Sequence, residues 1–384
     1  MSAGHAGSPR VDGVGPRNRV PTEFRGTATQ GKRPHSGSIA RWKRARSKAL
    51  AAQPGRCQFG GVKWLLGTIV ILAAMLGAFY ALIAPPRQLD LLDRLWAGDA
   101  GARRVALDVA YGKAPRQRLD IYDNAEAGGY PKPVLVFFYG GGWHGGDKDH
   151  YGFVARAYAA KGFLVVLPDY RLVPHVHFPV FVQDSAAAIA WASHNAARFG
   201  GDPNRIVTAG HSAGAYNAIM PALDRKWLAA ERLPDNVIKA AAGLAGPYDF
   251  YPFDKPSSIN AMGRYPRPLE TQPIRFVRAD APPLWLGHGT ADINVRVRNS
   301  RNLAAALTAA GAPVVLREYP GSSHNDLIIA VSRLFRTRLP VLDESSAFLL
   351  EQSRHAAGGH IRQWPTHSTV IAKSRKPSIR ARSD

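Results

Sequence analysis

The stretch "RIVTAGHSAGAYNAI", residues 205–219, constrains the fold of this 384-residue chain more than any other. An apolar run from Ile206 to Ala209 meets Gly210, and an Ala-rich segment of helical character follows Gly214. A chain that ends a strand and starts a helix within five residues must turn sharply, and Ser212 sits at the apex. The pattern G-x-S-x-G describes a strand-to-helix turn that presents its serine hydroxyl above a sheet. Five residues match often by chance, so the flanking organisation has to decide.

That organisation alternates. "RRVALDVAYG" and "RQRLDIYDN" alternate apolar and polar residues, as half-buried antiparallel strands do, and predict an antiparallel pair at one edge. "PVLVFFYGG" and "FLVVLPDY" are continuous apolar runs, expected of strands covered on both faces. Between them "HYGFVARAYAAKG" has helical spacing, and "FPVFVQDSAAAIAWASHNAARFGG" predicts a long helix stopped by Gly200 and Gly201. Past the serine motif come strand-like "PPLWLGHG", helical "RNSRNLAAALTAAGA", strand-like "VVLREYPG" and a long terminal helix from about Asn325 to Arg354. Repeated strand–helix alternation predicts an α/β fold, a mostly parallel central sheet with helices on both faces. Residues 251–276, rich in Pro and polar side chains, break the rhythm and predict an insertion over the sheet edge, a substrate lid or wall.

Charge divides the chain further. Residues 1–63 carry 13 Lys/Arg against two acids and residues 352–384 seven against one, so the net charge of +22 resides mostly in the ends. Both ends lack apolar periodicity and read as disordered tails, 1–61 and 352–384. No aromatic-basic module or helix-turn-helix signal accompanies them, so no specific nucleic-acid partner is expected. From Trp64 to Ala84 no residue is charged over 21 positions. A helix of that length spans about 30 Å, the hydrocarbon thickness of a bilayer. Residues 62–84 are therefore expected to form a transmembrane signal-anchor in contact with membrane lipid. The excess of Lys/Arg before it predicts a cytoplasmic N-terminus, a single pass through an inner or plasma membrane, and a periplasmic or extracellular domain over 85–351. One cysteine, Cys57, rules out an intrachain disulfide and a cysteine zinc site.

A serine hydroxyl needs a base to take its proton and a carboxylate to hold that base. In chain order after Ser212 come Asp292, in "LGHGTADINV", and His324, in "YPGSSHNDL", each just past a strand-like run. Open α/β sheets collect functional residues at such strand ends. Asp326, two residues from His324, is a competing carboxylate. A tetrahedral intermediate also needs backbone amides aimed at its oxyanion. The glycines of "FFYGGGWHGG" suit that purpose: Gly141 and Gly142 are candidate donors beside Ala213, the residue after the serine.

Together, Tyr139-Gly140-Gly141-Gly142-Trp143, "PDYRLVPHVHFPVFVQD", the serine motif, "HGTADINV" and "PGSSH" resemble the α/β-hydrolase esterases around hormone-sensitive lipase. The nearest likeness is the bacterial carboxylesterase, feruloyl-esterase-like and kynurenine-formamidase-like branch, over roughly residues 87–350. The resemblance implies an α/β-hydrolase fold, with Ser212 as nucleophile, His324 as base, Asp292 as acid, and Gly141, Gly142 and Ala213 as oxyanion donors. It departs at Tyr139, where the family usually has His; that side chain supports the loop rather than transferring protons, so activity is expected to survive with an altered substrate range. Tyr139 and Trp143 are candidate substrate-binding residues.

Other conspicuous residues have structural readings. Asp169, Arg171 and Asp184 suit a loop-bracing ion-pair set, His211 and His288 packing positions, and His175 and His177 lack the partners of a metal site. The expected activity is hydrolysis of a small carboxylic ester, with a short acyl chain, through an acyl-enzyme, and no metal or organic cofactor is implied. An aryl-formamidase or a polysaccharide deacetylase would use the same machinery. A catalytically silent membrane-bound scaffold is the alternative from another class.

Overall fold

The structure is a computed structural model and describes residues 59–82, 85–95, 99 and 101–355. The predicted tails fall outside these, except that helix covers residues 59–61 of the first and 352–355 of the second. Two units are distinguished, Met1–Val70 and Ile71–Asp384. The described part of the first is helical, and the second holds the sheet.

Eight strands form one sheet: β1 (Ala102–Ala110), β2 (Arg118–Asn124), β3 (Lys132–Phe138), β4 (Leu164–Pro168), β5 (Gly201–His211), β6 (Ile238–Leu244), β7 (Leu284–Gly289) and β8 (Val314–Tyr319). They lie in the order β1-β2-β4-β3-β5-β6-β7-β8. β1 pairs antiparallel with β2 and β2 antiparallel with β4, so the expected antiparallel pair occupies one edge. Every other pairing is parallel. The crossovers carry α3 (Gly152–Ala159), α4 (Val180–Asn195), α5 (Ala213–Leu223) with the short α6 (Lys226–Ala230), and α8 (Arg298–Ala309).

β3 and β4 are buried at every position, as continuous apolar runs require. β2 departs from the half-buried expectation: six of its seven residues are buried. Its polar positions face charged partners rather than water. Asp120 accepts from Arg104 at 2.9 Å and lies 3.0 Å from Lys148 Nζ, and Asp123 lies 2.6 Å from the fully buried Lys132. Alternation in the sequence therefore marked buried ion pairs, which are retained only because each charge has its counter-charge.

Two boundaries also differ from expectation. The terminal helix is broken into α9 (Asp326–Ile329) and α10 (Val341–His355). Arg336, in the intervening turns, forks onto Asp99 at 2.6 and 2.9 Å and donates to Val331 O at 3.2 Å, and Pro340 can supply no helical N–H. The 251–276 insertion leaves between β6 and β7, two inner strands, and so lies over the carboxyl ends of the sheet, not its edge. It contains α7 (Pro256–Met262) and two 3₁₀ turns. Gln272 Oε1 accepts from the amides of Phe250 and Tyr251 at 2.7 and 3.1 Å, tying the two ends of the insertion together.

Ahead of the sheet, α1 (Phe59–Leu82) coincides with most of the expected membrane segment. Its described side chains, residues 64–78, are all exposed. Among the described residues no helix is long and apolar enough to cross a membrane. α2 (Pro85–Leu95) follows, and its buried Asp90 and Asp93 clasp Arg156 of α3 at 2.9 and 2.6 Å.

Candidate active site

Ser212 stands between β5 and α5 with φ 58° and ψ −124°, a conformation that costs a non-glycine residue of order 1–3 kcal/mol. Its amide donates to Leu244 O on the neighbouring strand at 2.8 Å, which holds the strained turn in place. The motif glycines are required by close approach. A Cβ on Gly214 would sit 2.0 Å from Phe138 O, and one on Gly210 would sit 2.2 Å from Gly214 O. Only bare backbone lets the first turn of α5 press against the end of β3.

The ends of β7 and β8 bring the other two groups to the serine. His324 Nε2 lies 2.8 Å from Ser212 Oγ, and His324 Nδ1 lies 2.7 Å from Asp292 Oδ2. Asp292 is buried, and its Oδ1 accepts from the amides of Asn294 and Val295, each at 2.9 Å. Burial alone would push its carboxyl upward. Hydrogen bonds from His288, His324 and the Val295 amide outweigh burial and hold it well below the usual carboxylate range. An ionised Asp292 keeps the proton on Nδ1 and leaves Nε2 bare to receive the hydroxyl hydrogen. Asp326 does not compete, since its Oδ2 accepts from the amide and hydroxyl of Ser323 at 2.7 Å each.

Two histidines read as packing residues do more. His288 Nε2 donates to Val295 O at 2.7 Å and lies 3.3 Å from Asp292 Oδ2, while Ser300 Oγ sits 2.8 Å from its Nδ1. It braces both the carboxylate and the loop that donates to it. The only sequence signal was its place four residues before Asp292. His211 Nε2 donates to His324 O at 3.0 Å. Burial, with the His324 ring beside it, pulls the His211 imidazole down from its ordinary value to about 3, so it is neutral near pH 7.

A solvent-open cleft lies over the serine. Gly142, Trp143, Ser212 and Ala213 line it, with Phe250 and residues of the insertion on the far wall. Gly141 and Gly142 have φ of 131° and 61°, and Gly141 O accepts from His144 N and Gly145 N at 3.2 and 3.0 Å, curling the loop into a tight turn. Gly141 lies one residue behind the lining. Trp143 is fixed by an Nε1–H bond to Asn217 Oδ1 at 3.2 Å and stacks with Phe181 and Phe250.

Tyr139 is not at the cleft, which corrects its expected substrate-binding role. It is fully buried, stacked between Tyr151 and Tyr170, and donates to Asp169 Oδ1 at 2.6 Å while accepting from Arg116 at 2.7 Å. A phenol reaches this buried carboxylate and braces the base of the loop. Burial pushes the Asp169 carboxyl up to about 6, against the pull of Tyr139 and Arg116. The expected bracing set is therefore two: Asp169 serves Tyr139, and Asp184 takes Arg171 at 2.6 Å. His177 spans to the insertion, its Nδ1 2.8 Å from Asn260 O. Among the described residues no group of three or more His, Cys, Asp or Glu is placed to hold a metal ion.

A serine on a strained strand–helix turn, in a sheet of this order, defines an α/β-hydrolase. The BD-FAE family matches residues 119–307. The chain is 32% identical over 237 residues to the esterase LipC of Mycobacterium tuberculosis, covering 56% of this chain and 58% of that one. It is 32% identical over 251 residues to the isoprenylcysteine alpha-carbonyl methylesterase of Arabidopsis thaliana, covering 59% and 58%. The chain thus spans under two thirds of the length of these relatives. Esterase B of Lactobacillus rhamnosis, solved with a tributyrin phosphonate inhibitor, superposes with a TM-score of 0.59 at 18% identity, over 77% of this chain and 96% of that one, a likeness of fold. The chain thus has an α/β-hydrolase fold and is similar, over about half of its length, to carboxylesterases of the branch around hormone-sensitive lipase and the feruloyl esterases.

Proposed function

We propose that the protein hydrolyses small carboxylic esters through Ser212, His324 and Asp292. The observation that carries this reading is the unbroken relay from Ser212 Oγ to His324 at 2.8 Å and from His324 to Asp292 at 2.7 Å, opening into the cleft. In the reaction, His324 Nε2 takes the hydroxyl proton as Ser212 Oγ bonds to the acyl carbon. The carbonyl oxygen becomes an oxyanion facing the amides of Gly142 and Ala213, with Gly141 as a further donor. Ala213 opens α5, so the helix terminus adds its own positive end to that site. The imidazolium then protonates the departing alcohol, and a water, deprotonated by the same nitrogen, releases the acid and restores the serine.

Trp143 and Phe250 close the cleft with rigid aromatic surface, which favours short acyl chains. We also place the catalytic domain beyond a membrane anchor at residues 62–84. That reading is supported by the 21 uncharged positions and by the exposed apolar side chains of Trp64, Ile71 and Leu72 on α1. The test of the activity is turnover of p-nitrophenyl acetate through decanoate by the full chain in mild detergent. Ser212→Ala is expected to cut kcat by about 10³-fold or more, with rates falling as the acyl chain lengthens. Unchanged turnover in that variant would end the assignment.

A further inference from the structure

The far wall of the cleft is cationic. Lys255 from the insertion, Arg296 from the loop after Asp292, and Arg298 at the start of α8 all line the cavity that holds Ser212. Among the described residues none of the three lies within ion-pairing distance of a carboxylate. The buried and half-buried cations Arg156, Arg171, Lys132, Lys148 and Arg336, by contrast, are each paired with a carboxylate. Asp254 is the one acid among the lining residues, and it pairs with none of the three. Asp292 beneath is committed to His324 and His288. Two units of positive charge therefore remain uncompensated over the nucleophile, beside the apolar Trp143 and Phe250. A cleft walled on one side by low-dielectric surface focuses such charge inward. Arg296 and Arg298 bring guanidinium groups to the lining of this cleft, and guanidinium forks match carboxylates.

We infer that the preferred substrates are esters carrying a second, anionic group, a free carboxylate held by Lys255, Arg296 and Arg298 while Ser212 attacks the ester carbonyl. This rests on the esterase reading above and narrows its substrate class. The reaction is unchanged in its balance: the acyl–oxygen bond breaks, water supplies the new oxygen, and the anionic group stays intact.

The test compares mono-p-nitrophenyl succinate with p-nitrophenyl pentanoate, acyl groups of similar length that differ in terminal charge, on the full chain. A second pair, 3-carboxyphenyl butyrate and phenyl butyrate, moves the charge to the alcohol side. In at least one pair the charged ester is expected to have about tenfold higher kcat/KM at low salt, expressed through KM, with the preference collapsing as ionic strength approaches about 0.5 M. Joint Lys255→Gln, Arg296→Gln and Arg298→Gln is expected to reduce the charged-to-neutral ratio about tenfold. Fluorophosphonate labelling of Ser212 in that variant reports that the fold and nucleophile survive. Equal kcat/KM within both pairs, or a ratio unmoved by the triple change, overturns the anion site and leaves the esterase reading standing. Turnover of none of the four esters overturns the esterase reading itself.

Discussion

Asp292 has four groups to satisfy it, and the histidine it orients is only one of them. The amides of Asn294 and Val295 and the His288 imidazole hold its carboxylate in one orientation whether or not His324 is charged. Asp292→Asn is therefore expected to lower kcat by about 10⁴-fold, through the wrong imidazole tautomer. His288→Gln should lower kcat by roughly tenfold with KM little changed, since it relaxes the carboxylate without removing it. Steady-state kinetics on a short p-nitrophenyl ester checks both, and a His288→Gln enzyme of normal kcat would show the bracing to be dispensable. His211 gives a separate prediction in stability. Its imidazole binds a proton near pH 6.5 when unfolded and only at about 3 when folded. A depressed histidine contributes stability that is fully present above pH 6.5 and is lost as pH falls toward 3, by about 1.4 kcal/mol per unit. His211→Gln keeps an N–H for His324 O and should flatten that slope in urea unfolding between pH 6 and 4. An unchanged slope would assign the acid sensitivity elsewhere.

At the scale of elements, the strand–turn–helix around Ser212 depends on its glycines. Gly214→Ala places a methyl 2.0 Å from Phe138 O and pushes α5 off the sheet. It is expected to cost more than about 3 kcal/mol and most of the soluble yield, read by thermal melting. Normal melting would mean that the helix has room the structure does not show. This element was legible in the sequence because a buried strand, two glycines and a serine leave few ways to turn. So was the arrival of Asp292 and His324 at the ends of β7 and β8, since apolar runs announce strands and chain order announces the loops. Other features carried no such signal. The buried ion pairs of β2 look like ordinary alternation, because a charge paired across the fold and a charge in water read the same. The break before α10 depends on Arg336 finding Asp99, 237 positions away. Tyr139 gave an aromatic at the mouth of the glycine loop, and only its contact with Asp169 shows that it points away from the cleft.

For the whole molecule, the sheet sets out a division of labour. The antiparallel edge of β1 and β2 is tied by ion pairs, and the parallel strands bring Ser212, Asp292 and His324 together beyond their carboxyl ends. The proposed anchor predicts that the full chain stays with the membrane fraction after alkaline carbonate washing, whereas a chain lacking residues 1–84 is released. Release of the full chain would contradict the anchor and leave the chemistry untouched. The central claim is that Ser212 alone is activated, by His324 held on Asp292. Intact-mass and peptide analysis after treatment with a fluorophosphonate measures this most directly. One adduct is expected, on the peptide containing Ser212, absent in Ser212→Ala and formed at least about 10²-fold more slowly in His324→Ala. An unmodified chain, or an adduct on another residue, would contradict it.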